Sequence, residues 1–133
     1  MSMKVLLSDC DWRFTRQVCA YLESRAHLAV TCTDVAEAAQ RAESWRPDLV
    51  ILGAELAEKG LLERIYRLDP RPAVLLTEHM ARYDRAWRVW QDGGDELLMK
   101  PIFKPEELQE AIVTAMENAA SGAIMRSAKR ESA

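Results

Sequence analysis

The stretch Arg46-Pro47-Asp48-Leu49-Val50-Ile51-Leu52 decides the fold. Arg46-Pro47-Asp48 breaks a preceding helix, and Leu49 to Leu52 is wholly apolar. A short run with no polar alternation is the mark of a strand buried on both faces. Such a strand needs layers above and below it. The flanking sequence supplies them, because short apolar runs alternate with longer amphipathic stretches along the chain.

Toward the N-terminus, Lys4 to Ser8 (KVLLS) reads as a first strand that ends in acids. Asp11 is placed to cap a helix carrying Phe14, Val18, Tyr21 and Leu22 at helical spacing. His27 to Thr33 reads as the second strand, and Asp34 as the N-cap of a helix over Val35 to Trp45. Toward the C-terminus, Gly53 to Gly60 reads as a loop and Leu61 to Leu68 as a short helix stopped at Asp69-Pro70. Ala73 to Thr77 (AVLLT) is a fourth strand. A helix over Asp84 to Asp92 ends at Gly93-Gly94, and Leu97 to Met99 is the last strand. Pro105-Glu106-Glu107 opens a final helix to about Ala119, with proline and acids in its first turn.

Strict alternation of five strands and five helices predicts an α/β fold with a five-stranded parallel sheet and helices on both faces. Right-handed crossovers leave few topologies, and the flavodoxin-like (βα)5 order 2-1-3-4-5 fits. That order places a site outside the carboxyl ends of the strands. Residues 1–119 read as one domain and residues 120–133 as a mobile C-terminal tail bearing Arg126, Lys129 and Arg130.

Composition narrows the function. The 133 residues are 49% hydrophobic and 29% charged, a globular balance. Eighteen basic against 21 acidic residues give a net charge of −3, which disfavours nucleic acid as a partner. No apolar run approaches the roughly 18–20 residues of a membrane span, and the N-terminus lacks a signal-peptide core. A cytoplasmic location is expected. Cys10, Cys19 and Cys32 are odd in number and match no common zinc spacing, so reduced, mostly buried thiols are expected.

The strand ends carry the candidate chemistry. They present Asp9, Cys10 and Asp11 after the first strand, Gly53 to Glu55 after the third, Thr77 and Glu78 after the fourth, and Lys100 after the fifth. A lysine supplies point charge, a threonine a hydrogen bond, and paired carboxylates would hold Mg²⁺.

This ordered set resembles the receiver domain of two-component response regulators, over about Met3 to Ala119. The Pro-Asp-Leu-Val-Ile-Leu strand (47–52) and Lys100-Pro101 carry most of the likeness, with Val5 to Asp11, Ala73 to Thr77 and Gly93-Gly94-Asp95. The resemblance implies a domain that is not itself an enzyme. It also implies an aspartate at the end of the third strand, phosphorylated by a histidine kinase with Mg²⁺ held by acids of the first strand. Thr77 and Lys100 match the residues that sense the phosphoryl group, and Asp9 matches the first acid. Cys10 stands where the second, metal-binding acid belongs. Gly53 stands in place of the phosphoacceptor, and Leu97 in place of an aromatic switch residue.

The departures share one direction. Glycine offers no nucleophile, a thiol is a poor Mg²⁺ ligand, and the Glu78 carboxylate would repel a phosphate. A degenerate receiver with weak or absent Mg²⁺ binding is expected, acting by phosphorylation-independent contact with a protein partner in trans. That partner would be a signalling kinase or an effector. Alternatives are a phosphorelay protein modified on Glu55 or Asp11, and a binder of anions or small molecules in the relict pocket. With its phosphoryl partner gone, Lys100 is expected to pair with Asp9 or Glu78, because an unpaired, partly buried ammonium is costly.

On the fourth helix Trp87 and Trp90 lie at i and i+3. Trp90 is expected in the core and Trp87 as an anchor for a partner or a homodimer, on a face with Arg85, Arg88 and Leu97. Arg82, Arg85 and Arg88 read as a solvated basic stripe. His79 lies near the pocket mouth, where it could donate a hydrogen bond. Cys10 would be a redox sensor only if Lys100 lowered its pKa.

Overall fold

The structure, a computed structural model, describes residues 2–132, and the side chains of all of these except residue 59 and residues 123–132. Five strands form one sheet: β1 (Lys4–Ser8), β2 (Leu28–Thr31), β3 (Leu49–Gly53), β4 (Ala73–His79) and β5 (Glu96–Lys100). All pairings are parallel and the order is β2-β1-β3-β4-β5. This is the predicted topology. The helices are α1 (Trp12–Ser24), α2 (Val35–Trp45), α3 (Ala54–Leu56), α4 (Leu62–Tyr66), α5 (Tyr83–Asp92) and α6 (Pro105–Ser132).

Side-chain alternation along the strands divides the core into two layers. Leu6, Val50, Leu52, Val74 and Leu76 face one side and pack with α2, α4 and α5. Val5, Leu7, Leu49, Ile51 and Leu75 face the other and pack with α1 and α6. All five residues of β3 are buried, as its unbroken apolar run requires. The same alternation positions the site. Counting forward by twos from Leu7, Ile51, Leu75 and Leu98, all on the α1–α6 side, gives Asp9, Gly53, Thr77 and Lys100.

The local signals mostly hold. Asp11 caps α1, its Oδ1 accepting from the amides of Arg13 and Phe14 at 3.1 Å each. Asp34 has the extended backbone of an N-cap, but its side chain makes no capping hydrogen bond. Arg46 ends α2 in the left-handed region at φ 53°, just before Pro47.

Several boundaries differ. β2 is shorter than the predicted 27–33 span; the His27 amide is committed to the Leu22 carbonyl at the end of α1, and its Nδ1 accepts the Met3 amide. The predicted loop from Gly53 to Gly60 is helical from Ala54 onward. Ala54, Leu56 and Ala57 bury their side chains there, and α3 passes into a widened turn over Ala57–Leu61. Gly60 takes φ 91° and kinks the chain into α4, which covers Leu62–Tyr66 rather than 61–68. β4 runs two residues beyond its apolar core, through Glu78 and His79. α6 does not stop near Ala119 but continues to Ser132. The side chains of Arg126, Lys129 and Arg130 lie outside those described. None of the described helices is long and apolar enough to cross a membrane.

Candidate functional site

The loop after β1 and the ends of β3, β4 and β5 meet at one edge of the sheet. Gly53 and Thr77 are register partners, so the third and fourth strands end side by side. Asp9, Thr77 and Lys100 are all buried, at 5%, 0% and 7% exposure. Three donors meet at the Asp9 carboxylate. The Thr77 hydroxyl donates to Oδ2 at 2.6 Å. The Lys100 ammonium donates to Oδ2 at 3.0 Å and Oδ1 at 3.2 Å. The Asp11 amide donates to Oδ1 at 2.9 Å. The predicted pairing of Lys100 is therefore with Asp9.

The same ammonium lies 3.7 Å from Asp11 Oδ2 and 4.8 Å from the centre of the Phe14 ring. Two carboxylates and an aromatic face thus surround one cation, which offsets the cost of its burial. Gly53 borders this cluster directly. A Cβ there would lie 3.3 Å from Asp9 Cγ and 3.4 Å from Asp9 Oδ1. The Asp9 carboxylate lies against the volume that a side chain at position 53 would enter.

Glu78 does not fill the pocket. Strand alternation sends it to the face opposite Thr77, where α5 packs. Arg85 of α5 reaches back and donates to both Glu78 oxygens, through Nε to Oε2 and through NH2 to Oε1 at 3.1 Å. The His79 amide adds a 2.8 Å hydrogen bond. Burial alone would raise the Glu78 pKa. The Arg85 and His79 hydrogen bonds, with the charges of Arg85 and Lys100, outweigh it and lower the pKa below the ordinary value of 4.5. The bond to Glu78 raises that of Arg85 in turn.

This corrects the reading of the basic stripe. The Arg85 side chain is only 16% exposed and is committed inward. Arg88 is exposed and held by Glu58 at 2.7 Å, and Arg82 lies 3.5 Å from Asp84. Trp87 is 58% exposed, whereas Trp90 and Leu97 are half-buried against the core on the α5 side. Met80 and Tyr83 extend the exposed apolar stripe of Trp87.

Of the remaining carboxylates, Glu55 is exposed on α3, whereas Asp11 caps α1 and also borders the Lys100 ammonium. His79 accepts the Ala81 amide at 3.2 Å through Nδ1, capping a single 3₁₀ turn rather than donating into the pocket. Cys10 is exposed, contrary to the expectation of mostly buried thiols, while Cys19 is half-buried and Cys32 buried. Burial raises the pKa of both Cys19 and Cys32. Among the described residues no three His, Cys, Asp or Glu side chains form a group able to hold a metal ion.

Two partners were not anticipated. Arg85 was legible in principle, as the nearest cation on the helix following an acid placed in a buried strand. Phe14 was read only as core, and its position beneath Lys100 carries no local sequence signal.

No family model matches the chain. The chain is 27% identical over 138 aligned residues to the alkaline phosphatase synthesis transcriptional regulatory protein PhoP of Bacillus subtilis, covering 98% of this chain and 57% of that protein. It therefore spans little more than half of that relative's length. Among solved structures, NtrX from Brucella abortus superposes with a TM-score of 0.80 at 22% identity, over 97% of this chain and 29% of NtrX. A CheY-like response regulator receiver domain protein from Methanospirillum hungatei superposes with a TM-score of 0.71 at 18% identity, over 92% of this chain and 99% of that one. The fold is that of CheY-like receivers, and the sequence is similar to that of a response regulator.

Proposed function

We propose that this chain is a degenerate receiver of two-component signalling, which acts by contact with a protein partner in trans and takes no phosphoryl group. One observation carries the reading. At the end of β3 stands Gly53, and the carboxylate beside it belongs to Asp9, already engaged by Thr77 and Lys100. The groups that would sense a phosphoryl group are thus occupied, and position 53 has no atom to accept one.

The donor set also fits Mg²⁺ poorly. A hard cation needs several oxygen ligands. Here the Asp9 oxygens already carry an ammonium, a hydroxyl and an amide, and an exposed thiol stands at position 10. Neither metal nor enzymatic chemistry is assigned to the chain. Its partner surface is the exposed pair Trp87 and Tyr83 on the helix that Glu78 and Arg85 hold to the sheet, with Met80 exposed in the 3₁₀ turn just before it.

The test is intact mass after incubation with Mg²⁺ and a small phosphodonor, beside Gly53→Asp. The natural chain is expected to gain no phosphoryl mass. A gain of one phosphoryl group overturns the reading and directs mapping to Glu55 and Asp11. Trp87→Ala should then reduce capture of the cognate kinase or effector at least tenfold, a loss of about 1.4 kcal/mol or more, as for an aromatic hot spot.

A further inference from the structure

An amide N–H, a hydroxyl and an ammonium aimed at one point form the donor set of an oxyanion site. Here they come from three separate parts of the chain. The amide belongs to Asp11, the hydroxyl to Thr77 on β4, and the ammonium to Lys100 at the end of β5. All converge on Asp9, whose side chain is 4% exposed. A carboxylate has about four acceptor directions. Asp9 receives one hydrogen bond from the amide, one from the hydroxyl and two contacts from the ammonium, so that capacity is filled.

We infer that Asp9 is a tethered resident ligand of this oxyanion site, and that Gly53 keeps open the room its carboxylate needs. This deepens the proposed function, on which it rests, by naming what holds Thr77 and Lys100 in place without an external anion. The contact distances support the second half. A Cβ at position 53 would sit 3.3 Å from Asp9 Cγ, close enough that the carboxylate must shift by a few tenths of an ångström, and 3.4 Å from Oδ1, in van der Waals contact. The consequence reaches α5. With Thr77 drawn to Asp9 on one face of β4 and Glu78 held by Arg85 on the other, the strand end is fixed from both sides.

An ordinary buried ion pair and a filled anion site differ in one respect. When the carboxylate is removed, only the anion site accepts a replacement from solution. The experiment is thermal unfolding of the full chain carrying Asp9→Ala, with added formate, acetate or inorganic phosphate against matched chloride. The expected result is a lowered midpoint that one of these anions raises saturably by roughly 5 °C, as a ligand of the folded state does. The natural chain should not respond, and Asp9→Ala with Lys100→Met should lose the recovery. Equal responses in all three proteins, or none in any, overturn the inference.

Should Asp9→Ala fail to fold, Asp9→Asn preserves the shape while removing the charge. Its amide NMR spectrum is then expected to change at Thr77, Glu78 and Lys100, and an unchanged spectrum there overturns the inference instead. Phosphoryl gain by the natural chain would remove the proposed function but not an observed anion rescue. Absence of both phosphoryl gain and rescue would remove this inference alone.

Discussion

Two buried aspartates stand at opposite ends of the sheet, and each holds a cation. At the amino end Asp95 accepts both arms of Arg71, at 2.9 and 3.0 Å, together with the Val74 amide at 2.8 Å. The Arg71 guanidinium lies 4.7 Å from the centre of the Tyr66 ring. At the carboxyl end Asp9 accepts Lys100, Thr77 and the Asp11 amide. The first cluster joins residues 21 to 24 apart in sequence, and the second joins residues 68 and 91 apart. A planar guanidinium fork favours anions that present two oxygens side by side, as the Asp95 carboxylate does here, whereas an ammonium is a compact point charge with looser demands on shape. The amino end is therefore a local clamp on the start of β4 and β5. The carboxyl end is a tertiary tie whose donors an anion of another kind could use.

The sharpest way to break this comparison is Lys100→Met. It leaves the Asp9 carboxylate buried without its cation, and a loss of about 3–5 kcal/mol is expected. Urea unfolding at neutral pH measures it, provided the slope of the transition is unchanged. Arg71→Leu should cost less, about 2–3 kcal/mol. The Arg71–Asp95 pair is more open to water, at 14% and 8% side-chain exposure against 9% and 4% for Lys100–Asp9, and charged hydrogen bonds of this kind carry such values. A larger loss at Arg71 than at Lys100 would reverse the ranking of tie and clamp.

The smallest effect is read by pH. The folded-state pKa of Glu78 is lowered, so its contribution is present above the unfolded value of about 4.5 and is lost as pH falls through the folded pKa. In Arg85→Met, Glu78 loses both guanidinium hydrogen bonds and its nearest cation, keeping the His79 amide. The acid limb of stability against pH should then flatten below about pH 4.5 relative to the natural chain. An unchanged limb would show that Glu78 does not contribute to it.

The architecture was legible because its signals are redundant. Apolar runs marked every strand, and alternation with helices left one plausible order. The edges were less legible. Residues 53–60 carry glycine at both ends and charge between, which reads as a turn. Burial of Leu56 and Leu61 depends instead on the sheet beneath them. The pairing of Lys100 followed from the cost of a lone ammonium. The sequence left Asp9 and Glu78 both open as its partner, and the structure decides for Asp9, since adjacent β4 residues face opposite layers and Glu78 turns to α5. What no local pattern shows is the approach of the Asp9 carboxylate to Gly53, because that closeness is set by the spacing of β1 and β3 rather than by either residue.

The tie between Asp9 and Lys100 spans 91 residues of chain. It cannot close until the first and last strands lie in one sheet, and its closure after the transition state is the expectation that unfolding kinetics test. Contacts made after the transition state lengthen the life of the folded chain rather than hasten its formation. Loss of Lys100 should therefore quicken unfolding while leaving the folding rate nearly untouched.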